Sequence, residues 1–223
     1  MNLRAVFSKD QEAKFISHLD LQRTLERALR RARIPVRYSQ GYNPKPRFSV
    51  ASALMLGAAG DNEIMDIHLD RPVEPEQFVD RMNGSLTPGI RFRAARALPE
   101  GAKDAASLVK AARYRITFGD RELPLGELVS RFVSSDTVMV QKHTKEGTKT
   151  VNARPVVLEM ASRSSAEVDV LLDVSVPTVK PSEIAGALLA SAGMVNDVLF
   201  ECHRTELLGT SRGRLVPLFD TEV

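Results

Sequence analysis

Two stretches of this chain repeat one order of strand-forming and helix-forming segments. In residues 1–98, apolar alternation and helical spacing predict strand, helix, two strands, helix and strand. The predicted strands cover 3–7, 48–54, 63–69 and 90–97, and the predicted helices cover 17–33 and 75–82. This β-α-β-β-α-β order is the split βαβ pattern of ferredoxin-like domains, which places the chain in the α+β class.

Residues 108–210 follow the same order with one additional strand. The predicted strands cover 114–118, 138–142, 151–160, 168–176 and 198–203, and the predicted helices cover 125–132 and 181–192. Pro99 and Gly101 mark a linker between the two stretches. We therefore expect two tandem ferredoxin-like domains at 1–98 and 108–210, followed by a tail at 211–223.

Composition excludes several classes of protein. Hydrophobic residues make up 43% of the chain and charged residues 26%, a balance typical of folded domains rather than of disordered ones. No run of about 18 apolar residues is present, so we expect no membrane span. Cys202 is the only cysteine, and alone it cannot form a disulfide, an iron–sulfur cluster or a zinc finger. We expect a cytoplasmic protein without a cofactor or a bound metal, in which Cys202 is a buried, inert thiol.

The charge of the chain is polarised. The first 50 residues hold eleven Lys and Arg against four Asp and Glu, although the net charge of the whole chain is only +3. A positive field concentrated in one region attracts polyanions better than the same charge spread evenly. Nucleic acid is therefore among the expected ligands.

Part of this charge lies on the first predicted helix. Ser17 is a favourable N-cap, and Asp20 three residues later resembles a capping box. Four arginines project to one stripe of the helix, opposite its apolar stripe, and only Glu26 interrupts them. The four are Arg23, Arg27, Arg30 and Arg31. The stripe is either an anion-binding face or an ordinary solvated face.

The following loop interleaves cations with aromatic rings. Aromatic faces stack on unpaired bases, and Arg and Lys bind phosphates. Pro44 and Pro46 would hold the loop extended, although its tyrosines could instead pack on the domain. With the helix, the loop predicts a nucleic-acid-binding platform made of Arg23, Arg27, Arg30, Arg31, Arg37, Tyr38, Tyr42, Lys45 and Arg47.

Other clusters carry weaker predictions. Lys142, His143, Lys145, Lys149 and Arg154 surround a hairpin of the second domain, as in many exposed basic hairpins. Asp61, Glu63 and Asp66 either hold a metal or form a solvated strand edge, and we favour the edge.

No catalytic constellation is assigned. Ser17, His18 and Asp20 have the residue types of a triad, but they occupy one helical turn and cannot all face one another. His18 remains the best general acid or base candidate, or a structural or phosphate-contacting residue.

The same N-terminal segments carry a family resemblance. Residues 15–23, 28–32 and 38–47, with 54–57 and 63–67, resemble the radical-SAM-associated domain family of unknown function. Members of that family are fused to, or encoded beside, cobalamin-binding-type radical SAM proteins. The resemblance therefore implies a radical SAM partner, and this chain lacks the cysteine triplet that would make it the radical enzyme.

Three hypotheses of function remain open. The first is an RNA-binding or substrate-presenting module without catalytic activity of its own, acting with a radical SAM protein. The second is an RNA-processing or RNA-modifying enzyme, since the hydrophobic pattern is also similar to tandem ferredoxin-like RNA processors of the CRISPR repeat-cleaving type. The third is a protein-docking subunit whose basic face meets an acidic partner.

Overall fold

A computed structural model describes residues 1–119, 122–144, 147–175, 179–194 and 198–221. The chain forms two compact units. The first unit contains residues 1–109 and 206–223, and the second contains residues 110–205. Strand β10 (Phe200–Ser211) spans the boundary at residue 205 and belongs in part to each unit.

The first unit is built on an antiparallel sheet with two helices. Its elements are β1 (Asn2–Lys9), α1 (His18–Arg31), β2 (Phe48–Val50), β3 (Ala59–His68), α2 (Pro75–Asn83), β4 (Ile90–Leu98), the short α3 (Ala105–Leu108) and β11 (Arg214–Pro217). The sheet order is β4-β1-β3, and β2 pairs with the far edge of β3. Read in chain order this is fourth-first-third-second, the ferredoxin-like arrangement.

The core of the first unit lies between the sheet and the two helices. Leu3, Ala5 and Phe7 alternate along β1 and point into this core, as the period of a strand requires. The rings of Phe7 and Phe92 have centroids 5.4 Å apart, and Phe78 of α2 meets Phe92 edge-on at the same distance. Helix α1 adds its apolar stripe of Leu21, Leu25, Ala28 and Leu29.

The second unit has the same order with a hairpin added. Its elements are β5 (Ala111–Phe118), α4 (Leu125–Ser134), β6 (Met139–Thr144), β7 (Gly147–Asn152), β8 (Val157–Ser162), β9 (Glu167–Asp173) and α5 (Pro181–Ser191), with β10 as the last strand. The sheet order β10-β5-β9-β8 is again fourth-first-third-second. Strands β6 and β7, which lie between α4 and β8 in the chain, form a separate two-stranded sheet. The predicted α+β fold of two ferredoxin-like units is therefore confirmed.

Two sequence-based boundaries are wrong for identifiable reasons. The single strand predicted at 151–160 is interrupted, because residues 154–156 form a 3-10 turn around Pro155, which lacks the N–H that a strand ladder needs. The predicted tail at 211–223 instead contains β11, which pairs with β10, and Leu218, which is fully buried in the structure. Both signals are local, since Pro155 marks the interruption and Gly213 marks the turn between β10 and β11.

The acidic cluster predicted as a solvated edge is also wrong. Glu63 and Asp66 are buried in β3, and Asp66 faces Arg4 across the β1–β3 ladder. Asp61 is half-buried and lies 3.6 Å from an arginine of β4, Arg93. Within the described ranges, no group of three His, Cys, Asp or Glu side chains could hold a metal ion.

Candidate nucleic-acid interface

Helix α1 begins as its sequence predicts. The Ser17 hydroxyl accepts a hydrogen bond from the Asp20 backbone N–H at 3.1 Å and donates one to the Asp20 carboxylate at 2.7 Å. The hydrogen bond from Ser17 lowers the pKa of Asp20, and the neighbouring guanidinium of Arg23 acts in the same direction. The cap therefore fixes the start of the helix that carries the arginine stripe.

The arginines of the stripe are exposed, but they differ in their contacts. Arg23 lies 3.2 Å from Asp20, and Arg30 lies 2.7 Å from Glu26, both as exposed pairs within the helix. Such pairs are easily exchanged for other anions. Arg27 contacts the Thr24 hydroxyl at 3.4 Å.

Arg31 has a structural role that the sequence does not reveal. Its Nη2 and Nε donate to the Ser85 carbonyl oxygen at 2.6 and 3.2 Å, which ties the end of α1 to the residues after α2. Arg31 is therefore the member of the predicted platform that is least available to a ligand.

The loop after α1 is a ribbon held on the sheet. We call residues 37–47 the cationic ribbon. The Arg47 N–H donates to the Arg37 carbonyl oxygen at 2.7 Å, and Tyr38 forms a bridge with Pro46. The Arg37 N–H donates to the carbonyl oxygen of His68, and the His68 N–H donates to that of Arg47, at 2.8 and 3.0 Å. Both arms of the ribbon are thus bonded to the end of β3.

The base of the ribbon gathers positive charge around His68. Burial lowers the pKa of His68 first, then the charge of Arg47 and, more weakly, that of Arg37, while Asp104 and Asp66 oppose them. Arg37 also lies 3.3 Å from Asp70 in an exposed pair. The charges of Arg47 and Arg37 thus outweigh those of Asp104 and Asp66 at His68, and such a positive potential favours an added anion.

The predicted aromatic residues of the platform do not share one environment. Tyr42, at the far end of the ribbon, is as exposed as tyrosine in an extended peptide (108%), whereas Tyr38 is 40% exposed. Lys45 and Arg47 are also exposed. The segment that follows α1 in the chain therefore brings Arg37, Tyr42, Lys45 and Arg47 to the surface.

His18 occupies the first position of α1 and is half-buried. Its Nδ1 is buried and has no hydrogen-bond partner among the residues that the structure describes. No described side chain is therefore placed to orient its imidazole by a hydrogen bond to Nδ1, as a third group does in a catalytic triad.

The residues of the second basic group have two different roles: the lysines lie on the β6–β7 hairpin, and Arg154 holds the base of that hairpin. Lys142 and Lys149 are directly opposite one another in the β6–β7 ladder. Arg154 instead donates to the carbonyl oxygens of Val133 and Val157, at 3.1 and 2.9 Å, and so closes the root of the hairpin. Lys145 and the side chain of His143 lie outside the described part of the chain.

Sequence reasoning missed a buried ion pair in the first unit. Arg4 Nε and Nη2 lie 2.8 and 3.0 Å from the two carboxylate oxygens of Asp66, and both side chains are buried. Arg4 also donates to the Lys103 carbonyl oxygen, and the Ala105 N–H donates to Asp66 at 2.7 Å. The available signal is a charged residue with apolar neighbours in each of two strands, but only the β1–β3 register pairs Arg4 with Asp66.

These contacts cover the sheet face that lies opposite the helices. Residues 103–105 close over Arg4 and Asp66. On β4, Arg96 donates to the Thr221 carbonyl oxygen at 2.9 Å and lies over the Phe219 ring. Part of the sheet face on which some ferredoxin-like domains stack RNA bases is therefore covered, whereas the ribbon and α1 present exposed cations.

Cys202 is buried in β10, and burial raises the pKa of its thiol to about 12. The predicted inert thiol is confirmed, since a thiol protonated at neutral pH is a poor nucleophile.

The helices of the described ranges are all too short or too polar to cross a membrane.

Comparison with known proteins identifies one family. The model of a family described as an uncharacterized protein conserved in bacteria (DUF2344) matches residues 2–181. None of the curated proteins matches the chain.

Proposed function

The chain belongs to this uncharacterized bacterial family, and we propose that its cationic ribbon and the exposed stripe of α1 bind RNA. In this proposal the chain has no catalytic activity of its own and presents its RNA to a radical SAM protein. The observation that carries the RNA part is the ribbon itself, which exposes Arg37, Tyr42, Lys45 and Arg47 on one segment whose two arms are bonded to the end of β3.

Three features of the ribbon support a polyanionic ligand. Residues 37–47 contain no aspartate or glutamate, and the carboxylate that pairs with Arg37 is the exposed Asp70 outside this segment. The backbone bonds to β3 hold its cations in place before a ligand arrives, which reduces the entropy lost on binding. Phosphates fit this arrangement, because Arg and Lys are the usual phosphate ligands.

The test compares two charge-reversal variants in RNA titrations. Lys45→Glu with Arg47→Glu changes the ribbon, and Arg91→Glu with Lys103→Glu makes the same charge change at exposed positions elsewhere in the first unit. We expect the ribbon variant to lose at least tenfold in affinity for a structured and an unstructured RNA at low salt, and the control to change less than threefold. Wild-type affinity should also fall steeply between 50 and 200 mM salt. Absence of binding at 50 mM salt, or equal losses in both variants, contradicts the proposal.

A second readout locates the phosphate. An anion near Arg47 and Arg37 would offset their charges and raise the pKa of His68 toward its ordinary value. The His68 imidazole signals, followed by NMR over pH 4 to 8, should therefore titrate at higher pH with RNA than without it. An unchanged midpoint with RNA bound would place the RNA elsewhere.

The radical SAM partner is supported by the resemblance of residues 15–23, 28–32 and 38–47 to the radical-SAM-associated family. Co-expression with a radical SAM protein of the same organism, followed by co-purification with and without nuclease, tests it. A complex that survives nuclease supports a direct partner. A complex that forms while RNA binding is absent favours the docking-subunit hypothesis instead.

A further inference from the structure

The cationic ribbon ends in a small closed loop. The Ser39 N–H donates to the Lys45 carbonyl oxygen at 2.8 Å, and the Lys45 N–H donates to the Ser39 hydroxyl at 3.0 Å. Pro44 and Pro46 restrict the backbone on one side of this loop. Residues 40–44 are thus closed off by the Ser39–Lys45 pair, and the two arms beyond that pair are bonded to the end of β3 at Arg37 and Arg47.

Tyr42 stands at the middle of this loop with its ring in solvent. The chain has three tyrosines, and Tyr114 is buried while Tyr38 is partly covered. Tyr42 alone is fully exposed, and it contributes nothing to the hydrophobic core of its unit. Gly41, with a φ of 130°, sets the turn before it, and a Cβ there would meet nothing within 4 Å. The ring therefore has an unobstructed aromatic face.

The surroundings of the ring are cationic. Lys45 and Arg47 follow it in the same ribbon, and no carboxylate occurs in residues 37–47. An aromatic face beside phosphate-binding cations is the arrangement with which proteins bind single-stranded nucleic acid, since every unpaired base offers a face for stacking. A base within a duplex is already stacked on both sides and cannot use such a ring.

We propose that Tyr42 is a stacking platform for one unpaired base, so that the ribbon selects single-stranded RNA over duplex RNA. This inference rests on the proposed function, and it adds the class of RNA and the residue that recognises it. Lys45 and Arg47 hold the neighbouring phosphates, and Tyr42 supplies the preference for an unpaired nucleotide.

The absence of tryptophan from the chain allows a direct test. Tyr42→Trp places a single indole at the tip of the loop, and Phe15→Trp places one at an exposed aromatic position preceding α1 as a matched control. The probes are a 12-nucleotide oligouridylate and a 12-base-pair RNA duplex. We expect bound oligouridylate to quench the Tyr42→Trp fluorescence by stacking, bound duplex to quench it much less, and neither to quench Phe15→Trp.

Affinity measurements supply the second arm. Tyr42→Ala should lose about 5-fold to 100-fold in affinity for oligouridylate, the usual effect of removing one stacking ring, and less than twofold for the duplex. Tyr42→Phe should keep most of the affinity, because it keeps the ring.

The outcomes separate this inference from the proposed function. If RNA binds with the expected dependence on Lys45 and Arg47 but Tyr42→Ala binds normally, or duplex quenches equally, the stacking role is overturned and the proposed function stands. If no RNA binds at 50 mM salt, both fail. Quenching by polyglutamate but not by RNA would assign the tip to an acidic protein and also overturn the inference.

Discussion

Each unit places an arginine–aspartate pair between its first and third strands. In the first unit, Arg4 of the first strand faces Asp66 of the third, and in the second unit Arg115 faces Asp169 in the same way. The first pair is buried (0% and 3% exposed), whereas the second is partly exposed (33% and 24%) and shares its carboxylate with Arg163. The same pairing thus has two different physical settings.

The two units also carry a basic ribbon at the same place, between their first helix and their second strand. The cationic ribbon is bonded to the end of β3. The β6–β7 hairpin forms its own two-stranded sheet, which is anchored at its root through Asn152 and Arg154 and packs its β6 strand against α5. The difference teaches that one insertion point can present cations on a ribbon bonded to the main sheet in one unit and on a separate hairpin in the other.

The largest difference is expected between the two ion pairs. Asp66→Asn leaves Arg4 buried without its carboxylate, which should lower the free energy of unfolding by about 3–5 kcal/mol. Asp169→Asn leaves two partly solvated arginines and should cost about 1 kcal/mol or less. Urea denaturation followed by circular dichroism measures both.

A double variant controls for the loss of charge itself. Arg4→Met with Asp66→Leu removes the buried pair as a whole and should be more stable than Asp66→Asn alone. Equal costs for Asp66→Asn and Asp169→Asn would contradict the assignment of the first pair as buried and the second as solvated.

The sequence predicts features that depend on neighbouring residues and misses those that depend on distant contacts. The cap at Ser17 and the apolar stripe of α1 depend on residues within a few positions of each other, and they are as predicted. The order of strands and helices was predictable for the same reason. The Arg4–Asp66 pair joins residues 62 positions apart, and the role of Arg31 depends on Ser85, so neither follows from local pattern.

The same distinction between local and distant information applies to the candidate interface. Which residues are cationic or aromatic is a property of the sequence, and the ribbon could be named from it. Which of them are open to a ligand depends on tertiary contacts, as the difference between Tyr42 and Tyr38 illustrates. In the second unit, the predicted strand at 151–160 joins the end of β7 to β8, past the interruption at Pro155.

The rates of amide hydrogen exchange should differ by about tenfold or more between the cationic ribbon and the β6–β7 hairpin. The N–H groups of Arg37, Arg47 and His68 donate to carbonyl oxygens beside β3, whereas residues 147–150 are exposed and lie in a two-stranded sheet with β6. We expect amides of 147–150 to exchange at least tenfold faster than those of Arg37 and His68. Similar protection in both ribbons would show that the hairpin is held as firmly as the cationic ribbon.

The smallest effect concerns the equivalent first helices, α1 and α4. Ser17 caps α1 by its side chain, whereas Pro124 at the start of α4 makes no side-chain cap. Ser17→Ala should therefore lower the free energy of unfolding by about 1 kcal/mol, and Ser17→Asp, which keeps an acceptor, should cost less. Thermal unfolding at pH 7 measures this difference.

A titration at acid pH tests whether the Ser17 hydroxyl is the cause of the lowered pKa of Asp20. The Ser17 hydroxyl lowers the pKa of Asp20 below its ordinary value, so the carboxylate contributes to stability above that value and the contribution is lost as pH falls through the lowered pKa. In Ser17→Ala the pKa of Asp20, followed by NMR of its carboxyl carbon, should rise back toward the ordinary value. If the pKa of Asp20 stays low without the hydroxyl, Arg23 and not the Ser17 cap is the cause of the shift.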